Sequence, residues 1–126
     1  GLSLQGFLPI SIYPRMDFLI IALNQIINHL DKVEEMSDGQ FKPKVIIRTC
    51  VGSTKPMMPG PQHCQNYTKA LKEMVTNIEI RELLKPEDVY PAYLEAINSD
   101  KSYILIEHSD LYNSDLKEDI KESKEK

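Results

Sequence analysis

The chain predicts an α/β domain, a mostly parallel sheet with helices on both faces, and two observations carry that expectation. Short β-branched runs alternate with helical patterns in the order strand–helix–strand–helix–strand–helix–strand, and parallel neighbours need such crossovers. The second observation is the stretch from Arg15 to Leu30, RMDFLIIALNQIINHL. Its Met16, Leu19, Ile20, Leu23, Ile26, Ile27 and Leu30 recur at three- and four-residue steps, while Phe18, Ile21 and Ala22 widen the apolar face. A helix apolar over most of its circumference is expected to be covered by protein on several sides. It reads as the central buried helix, with room for a second chain against it.

The elements follow in order. Gly1–Gln5 reads as the tail of a helix stopped by Gly6. FLPISIY (Phe7–Tyr13) is β-rich, with Pro9 awkward for a central strand. A chain opening in this way reads as a fragment, or as a protein without its front end. Pro14 and Asp17 suit the start of the long helix, and SDGQ (Ser37–Gln40) is a turn. KVIIRTC (Lys44–Cys50) is a buried strand. Val51–Pro61 is a long aperiodic loop, and Gln62–Met74 resumes a helical pattern. NIEIREL (Asn77–Leu83) alternates as a strand, Pro86–Asp88 opens a helix that Pro91 is expected to bend, and YILIE (Tyr103–Glu107) is the last strand. Ser114–Lys126, SDLKEDIKESKEK, is nearly all charge and reads as a solvated, fraying helix in preference to a disordered tail.

The 126 residues, 41% hydrophobic, suit one domain with a real core. A net charge of -4 and a pI near 5.4 argue against a partner that is a nucleic-acid backbone. There is no uninterrupted apolar run of about 18 residues and no secretory pattern at the start, so no membrane partner is expected. Cys50 and Cys64 show no CxxC spacing, which makes a reducing cytoplasm the expected location.

Function is approached through organisation. Ligands of parallel sheets bind beyond the carboxyl ends of the strands, and the Val51–Pro61 loop leaves one of those ends. Its exit, GPQHCQ (Gly60–Gln65), can hold His63 beside free backbone N–H groups, a place suited to a polar or anionic group or to proton movement near neutrality. The competing reading of His63 is a capping or surface histidine. A Cys64–His63 nucleophile pair is rejected, because neighbouring side chains on a helix diverge by about 100°. No metal-ligand cluster and no glycine-rich phosphate loop is visible in the sequence.

YPRMDFLIIALNQIIN, MSDGQ, VIIRTCVG, GPQHCQ and IEHSDLYN, in this order and spacing, resemble the β subunits of thiamine-diphosphate-dependent 2-oxo acid dehydrogenases, specifically their transketolase-like pyrimidine-binding domain. The resemblance covers nearly all of residues 1–113, read as a partial domain lacking its N-terminal part, with 114–126 as a charged tail. It implies an oxidoreductase or transferase component that binds the aminopyrimidine end of thiamine diphosphate at a subunit interface. It implies Phe18, Ile21 and Tyr13 as cofactor-binding residues and His63 as catalytic, no metal ligands on this chain, and Mg²⁺ and diphosphate held by an α subunit or another domain. The substrate it implies is a 2-oxo acid or ketose, and the assembly a homo- or hetero-oligomer.

The catalytic glutamate of the resemblance is expected upstream of Gly1. Ile21 stands where many relatives have a polar residue. Cys64 stands where serine is usual, Ser102 where proline is common, and the loop Ser53–Pro59 is longer and methionine-rich. The isolated chain is therefore expected to be inactive. The other class of function that fits is a non-catalytic relative or fragment acting as an assembly or binding module. A regulatory α/β module is the weakest reading, for want of an acidic cluster at a strand end.

Overall fold

The computed structural model describes residues 1–112, so the tail expected at Ser114–Lys126 lies outside the described residues. Four strands, β1 (Ile10–Tyr13), β2 (Ile46–Val51), β3 (Glu79–Glu82) and β4 (Tyr103–His108), form one sheet in the order β1-β2-β4-β3. Every pairing is parallel, with Ile10 opposite Ile46, Ile46 opposite Tyr103 and Glu79 opposite Tyr103. The strands start level and their carboxyl ends share one edge. Pro9 stands just ahead of β1, where it forfeits no ladder donor and its carbonyl accepts from Ile46 N–H.

Alternation along the strands divides the core in two. Ile47, Ile80, Ile104 and Ile106 face Met16, Leu19, Ile26 and Leu71. Ile46, Tyr103 and Leu105 face Leu83, Ala92 and Ala96. Helices thus cover both faces, as expected. Each of these large apolar side chains contributes about 1.5–3 kcal/mol by leaving water.

The central helix differs from the expectation. It runs as a short α-helix α1 (Met16–Leu19), a 3₁₀ turn (Ile20–Ala22), a π-helical stretch (Asn24–Leu30) and then α2 (Val33–Met36). Tight and wide turns follow one another, and together they keep Met16, Leu19 and Ile26 over the sheet. Within this chain the sheet covers the helix on one side only, and Ile21, 84% exposed, with Phe18 and Ile20 partly open, lies on the face left over.

The helix expected over Gln62–Met74 is broken as well. A 3₁₀ turn (Pro61–His63) precedes α3 (Thr68–Met74). Between them Asn66 Oδ1 accepts from Thr68 N–H at 2.9 Å and Thr68 Oγ1 at 2.6 Å, and this local turn delays the helix start. Tyr67 N–H donates to Met16 Sδ at 2.9 Å, docking the segment on α1. Pro91 does not bend α4 (Val89–Asn98), since it sits in the first turn, where an N–H has no intrahelical acceptor. The Lys44 ammonium donates to the Ile97 carbonyl near the last turn of α4.

A buried carboxylate ties the central helix to the opposite end of the sheet. Asp31 Oδ1 accepts from the N–H groups of Thr76 (3.0 Å), Asn77 (2.7 Å) and Ile78 (3.2 Å), and Oδ2 meets Thr76 Oγ1 at 3.1 Å and Lys32 Nζ at 2.8 Å. Burial alone pushes this carboxyl up, but Lys32 and the Asn77 and Thr76 donors outweigh it and hold it below its ordinary value.

Candidate functional site

At the shared carboxyl edge the chain leaves β1 through Pro14 and Arg15 into α1, and leaves β2 through Gly52 into the long loop. Gly52 is required there by space. A Cβ on it would lie 2.0 Å from Arg15 Nη1 and 2.1 Å from the His63 carbonyl oxygen. Only a residue without a side chain lets Arg15 Nη1 donate to that carbonyl, at 3.2 Å, across the end of β2. Gly60, at φ 98°, turns the loop into the Pro61–His63 helix.

This crossing brings the His63 ring to Phe18. Their centroids are 5.5 Å apart at an interplanar angle of 81°, an edge-to-face contact. Gln65 Nε2 donates to Asp17 Oδ1 at 3.1 Å, a second tie between the loop exit and α1. Among the described residues, the buried side-chain polar atoms without a hydrogen-bond partner are Asp17 Oδ2, Thr49 Oγ1 and His63 Nδ1. Asp17 and His63 belong to these ties, and Thr49, level with Tyr13 in the sheet, is on the strand face that α1 covers. Buried polar groups ordinarily find partners in protein or water.

Of the residues singled out in the sequence, Phe18 and His63 touch. Tyr13 closes β1 at this edge, half-buried against the core that α1 covers. Ile21 stands beyond Phe18, its side chain open to solvent. Cys64 is apart from the His63–Phe18 contact, its thiol donating to the Ser53 carbonyl at 3.7 Å.

The other face of the same edge holds a network absent from the sequence reading. Arg48 Nε and Nη2 donate to both oxygens of Glu107, at 2.9 and 2.8 Å. Tyr93 OH donates to Oε1 at 2.8 Å and Tyr112 OH to Oε2 at 2.7 Å. Burial pushes the Glu107 carboxyl up, but Arg48, Tyr112 and Tyr93 together bring it below its ordinary value. The bond to Glu107 raises Arg48, while burial and the same carboxylate raise Tyr93, so the pair stays ionised and the phenol neutral. Beside it lies a cavity of about 390 Å³ walled by Leu83, Lys85, Pro86, Val89 and Leu111. The signal was present in the sequence: Arg48 and Glu107 are the charges within two otherwise apolar strand runs, VIIRTC and YILIE.

No family model matches the chain. Among curated proteins it is similar to the pyruvate dehydrogenase E1 component subunit beta-3, chloroplastic, of Oryza sativa subsp. japonica, 31% identical over 120 residues, which are 95% of this chain and 29% of that protein. It is similar to the protein of the same description from Arabidopsis thaliana, 32% identical over 95% of this chain and 28% of that protein. It is also similar to the pyruvate dehydrogenase E1 component subunit beta of Rickettsia bellii (strain RML369-C), 27% identical over 95% of this chain and 37% of that protein. The chain thus spans between 28% and 37% of the length of these relatives. Among the described residues no helix is long and apolar enough to cross a membrane.

Proposed function

We propose that this chain, related in sequence to the β subunits of 2-oxo acid dehydrogenases, is the pyrimidine-binding half of a thiamine-diphosphate-dependent enzyme acting on a 2-oxo acid or ketose, completed by a partner that holds Mg²⁺ and diphosphate. The observation that carries this reading is the edge-to-face pair of Phe18 and His63 at the carboxyl edge, with His63 Nδ1 buried and unpartnered beside an open apolar surface.

Those residues fit an aromatic heterocycle. Phe18 and Ile21 offer a flat apolar wall to one side of such a ring, and Tyr13 closes the strand below it. When bound, thiamine diphosphate supplies a nucleophilic carbon and an electron sink. Phe18 orients the ring and excludes water from it. His63 holds a proton at its ring nitrogen and gives it to the substrate carbonyl oxygen as negative charge grows there. Arg15, bonded to the His63 carbonyl, and Gln65, bonded to Asp17, fix the histidine segment against α1.

The alternative function, a non-catalytic assembly or binding module, draws on the exposed Phe7, Ile10, Ile12 and Ile21. Kinetics on the enzyme assembled from this chain and its partner separate the two. Phe18→Ala is expected to weaken cofactor binding on the order of 1–3 kcal/mol. His63→Ala is expected to leave cofactor affinity nearly intact and lower turnover by roughly 10² or more. Full turnover in His63→Ala overturns the assignment of His63, and an assembled complex without cofactor-dependent turnover favours the binding module. The isolated chain should bind the cofactor weakly or not at all by calorimetry.

A further inference from the structure

The cavity on the α4 face of the carboxyl edge has no part in the thiamine reading. The chain leaving β2 runs to α3, which packs with α1 on one face of the sheet, whereas the chain leaving β3 runs to α4 on the other. Connections that part in this way leave a crevice beyond the strand ends, where ligands of parallel sheets bind. The cavity lies in that crevice. Arg48 reaches it from β2, Leu83 and Lys85 from the connection that leaves β3, Val89 from the start of α4 and His108 from the end of β4. Its volume of about 390 Å³ is that of a small-molecule site, and Leu83, Pro86 and Val89 give it an apolar wall.

We propose that this cavity binds a small carboxylate with an apolar aryl or branched-alkyl body, the body against Leu83, Pro86 and Val89 and the carboxylate on Lys85 and Arg48. The charges of the lining decide the sign of the ligand. Glu107 accepts from Arg48 Nε and Tyr93 OH at one oxygen, and from Arg48 Nη2 and Tyr112 OH at the other. Those bonds fill its lone pairs, so it has nothing left to offer a cation. His108 Nε2 is taken by Glu82 Oε1 at 2.9 Å. Lys85, by contrast, is exposed and has no ion-pair partner among the described residues. The Arg48 side chain is 40% exposed and keeps N–H donors beyond those turned to Glu107. An ammonium and a guanidinium beside an apolar wall select a carboxylate over an amine, while burial of the body contributes affinity.

The site stands independently of the thiamine reading, because it lies across the sheet from the Phe18–His63 pair. The test is titration of the methyl-labelled 126-residue chain with phenylacetate, followed by NMR, with phenethylamine as the cationic counterpart. Phenylacetate is expected to shift the Leu83 and Val89 methyl resonances saturably, and phenethylamine to bind roughly tenfold more weakly or less. Lys85→Gln, at an exposed position, should weaken phenylacetate by roughly fivefold or more and narrow its advantage over the amine. Val89→Trp, which fills the cavity, should abolish the shift at Leu83, with circular dichroism to check that the variant folds. Lys72→Gln, on α3 and outside the cavity lining, should leave binding unchanged. The Lys85→Gln arm decides the matter even if Val89→Trp does not fold. No saturable shift in the unmodified chain, equal affinity for the amine, unaltered binding in Lys85→Gln or in folded Val89→Trp, or an equal loss in Lys72→Gln each overturns the proposal.

Discussion

Buried polar groups in this fold come in two kinds, and the contrast separates structure from site. At Asp31 and at Glu107 both carboxylate oxygens are taken up by protein donors, and the two groups join segments far apart in sequence. At the carboxyl edge beneath α1, Asp17 Oδ2, Thr49 Oγ1 and His63 Nδ1 are buried with nothing to bond. A satisfied network stabilises one arrangement, whereas an unsatisfied one costs stability. The first kind should answer to stability measurements and the second to function.

The largest loss of stability is expected at Asp31. Asp31→Ala strands the N–H groups of Thr76, Asn77 and Ile78 and leaves Lys32 without its partner, a cost of about 3–5 kcal/mol in urea denaturation. A loss below about 1 kcal/mol would mean that water replaces the carboxylate and that the contrast has been drawn too sharply. Glu107→Ala is expected to cost about 2–4 kcal/mol, less because Arg48 is partly exposed and can be hydrated once freed.

Acid sharpens the same comparison. Asp31 and Glu107 both hold their carboxyls below the ordinary value when folded. The unfolded chain therefore binds more protons than the native one as pH falls through the ordinary carboxylate range. Their contribution is full above that range and is lost as pH drops towards the folded values. Denaturation followed from neutral pH into acid should show this decline, and Asp31→Asn and Glu107→Gln should each flatten it. A decline of unchanged steepness in both variants would assign it to other carboxylates.

Much of the architecture was legible in the sequence. Four β-branched or alternating runs became four parallel strands; β2 and β4, buried on both faces, carry the near-continuous apolar pattern, whereas β1 leaves Ile10 and Ile12 exposed. The helix boundaries were less legible. The break in RMDFLIIALNQIINHL accompanies the packing of Ile26 on the sheet, and the late start of α3 comes from the local turn in which Asn66 accepts from Thr68; apolar periodicity registers neither. In the candidate site the organisation of the chain pointed to His63 and the family resemblance to Phe18, but Arg15 and Gly52, which bring the two rings together, emerged only from close approach. Arg48 and Glu107 were read as parts of apolar strands. Their pairing follows from register, since Arg48 stands opposite Leu105 and Glu107 lies two residues on, facing the same side.

The smallest expected effect on stability falls at Ile21. Its side chain is 84% exposed, so Ile21→Asn removes almost no buried apolar surface and should change the unfolding free energy of the isolated chain by no more than about 0.5 kcal/mol. The assembled enzyme should respond differently. If Ile21 forms part of the wall over the aminopyrimidine, as proposed, the polar amide brings water to a surface that would otherwise be dry, and cofactor affinity should fall by about 1 kcal/mol. A neutral effect in both measurements would remove Ile21 from the site and leave the wall to Phe18 alone. A stability loss well above 0.5 kcal/mol in the isolated chain would mean that copies of the chain already cover this helix face with one another, and sedimentation at the same concentration should then show an oligomer that Ile21→Asn dissociates.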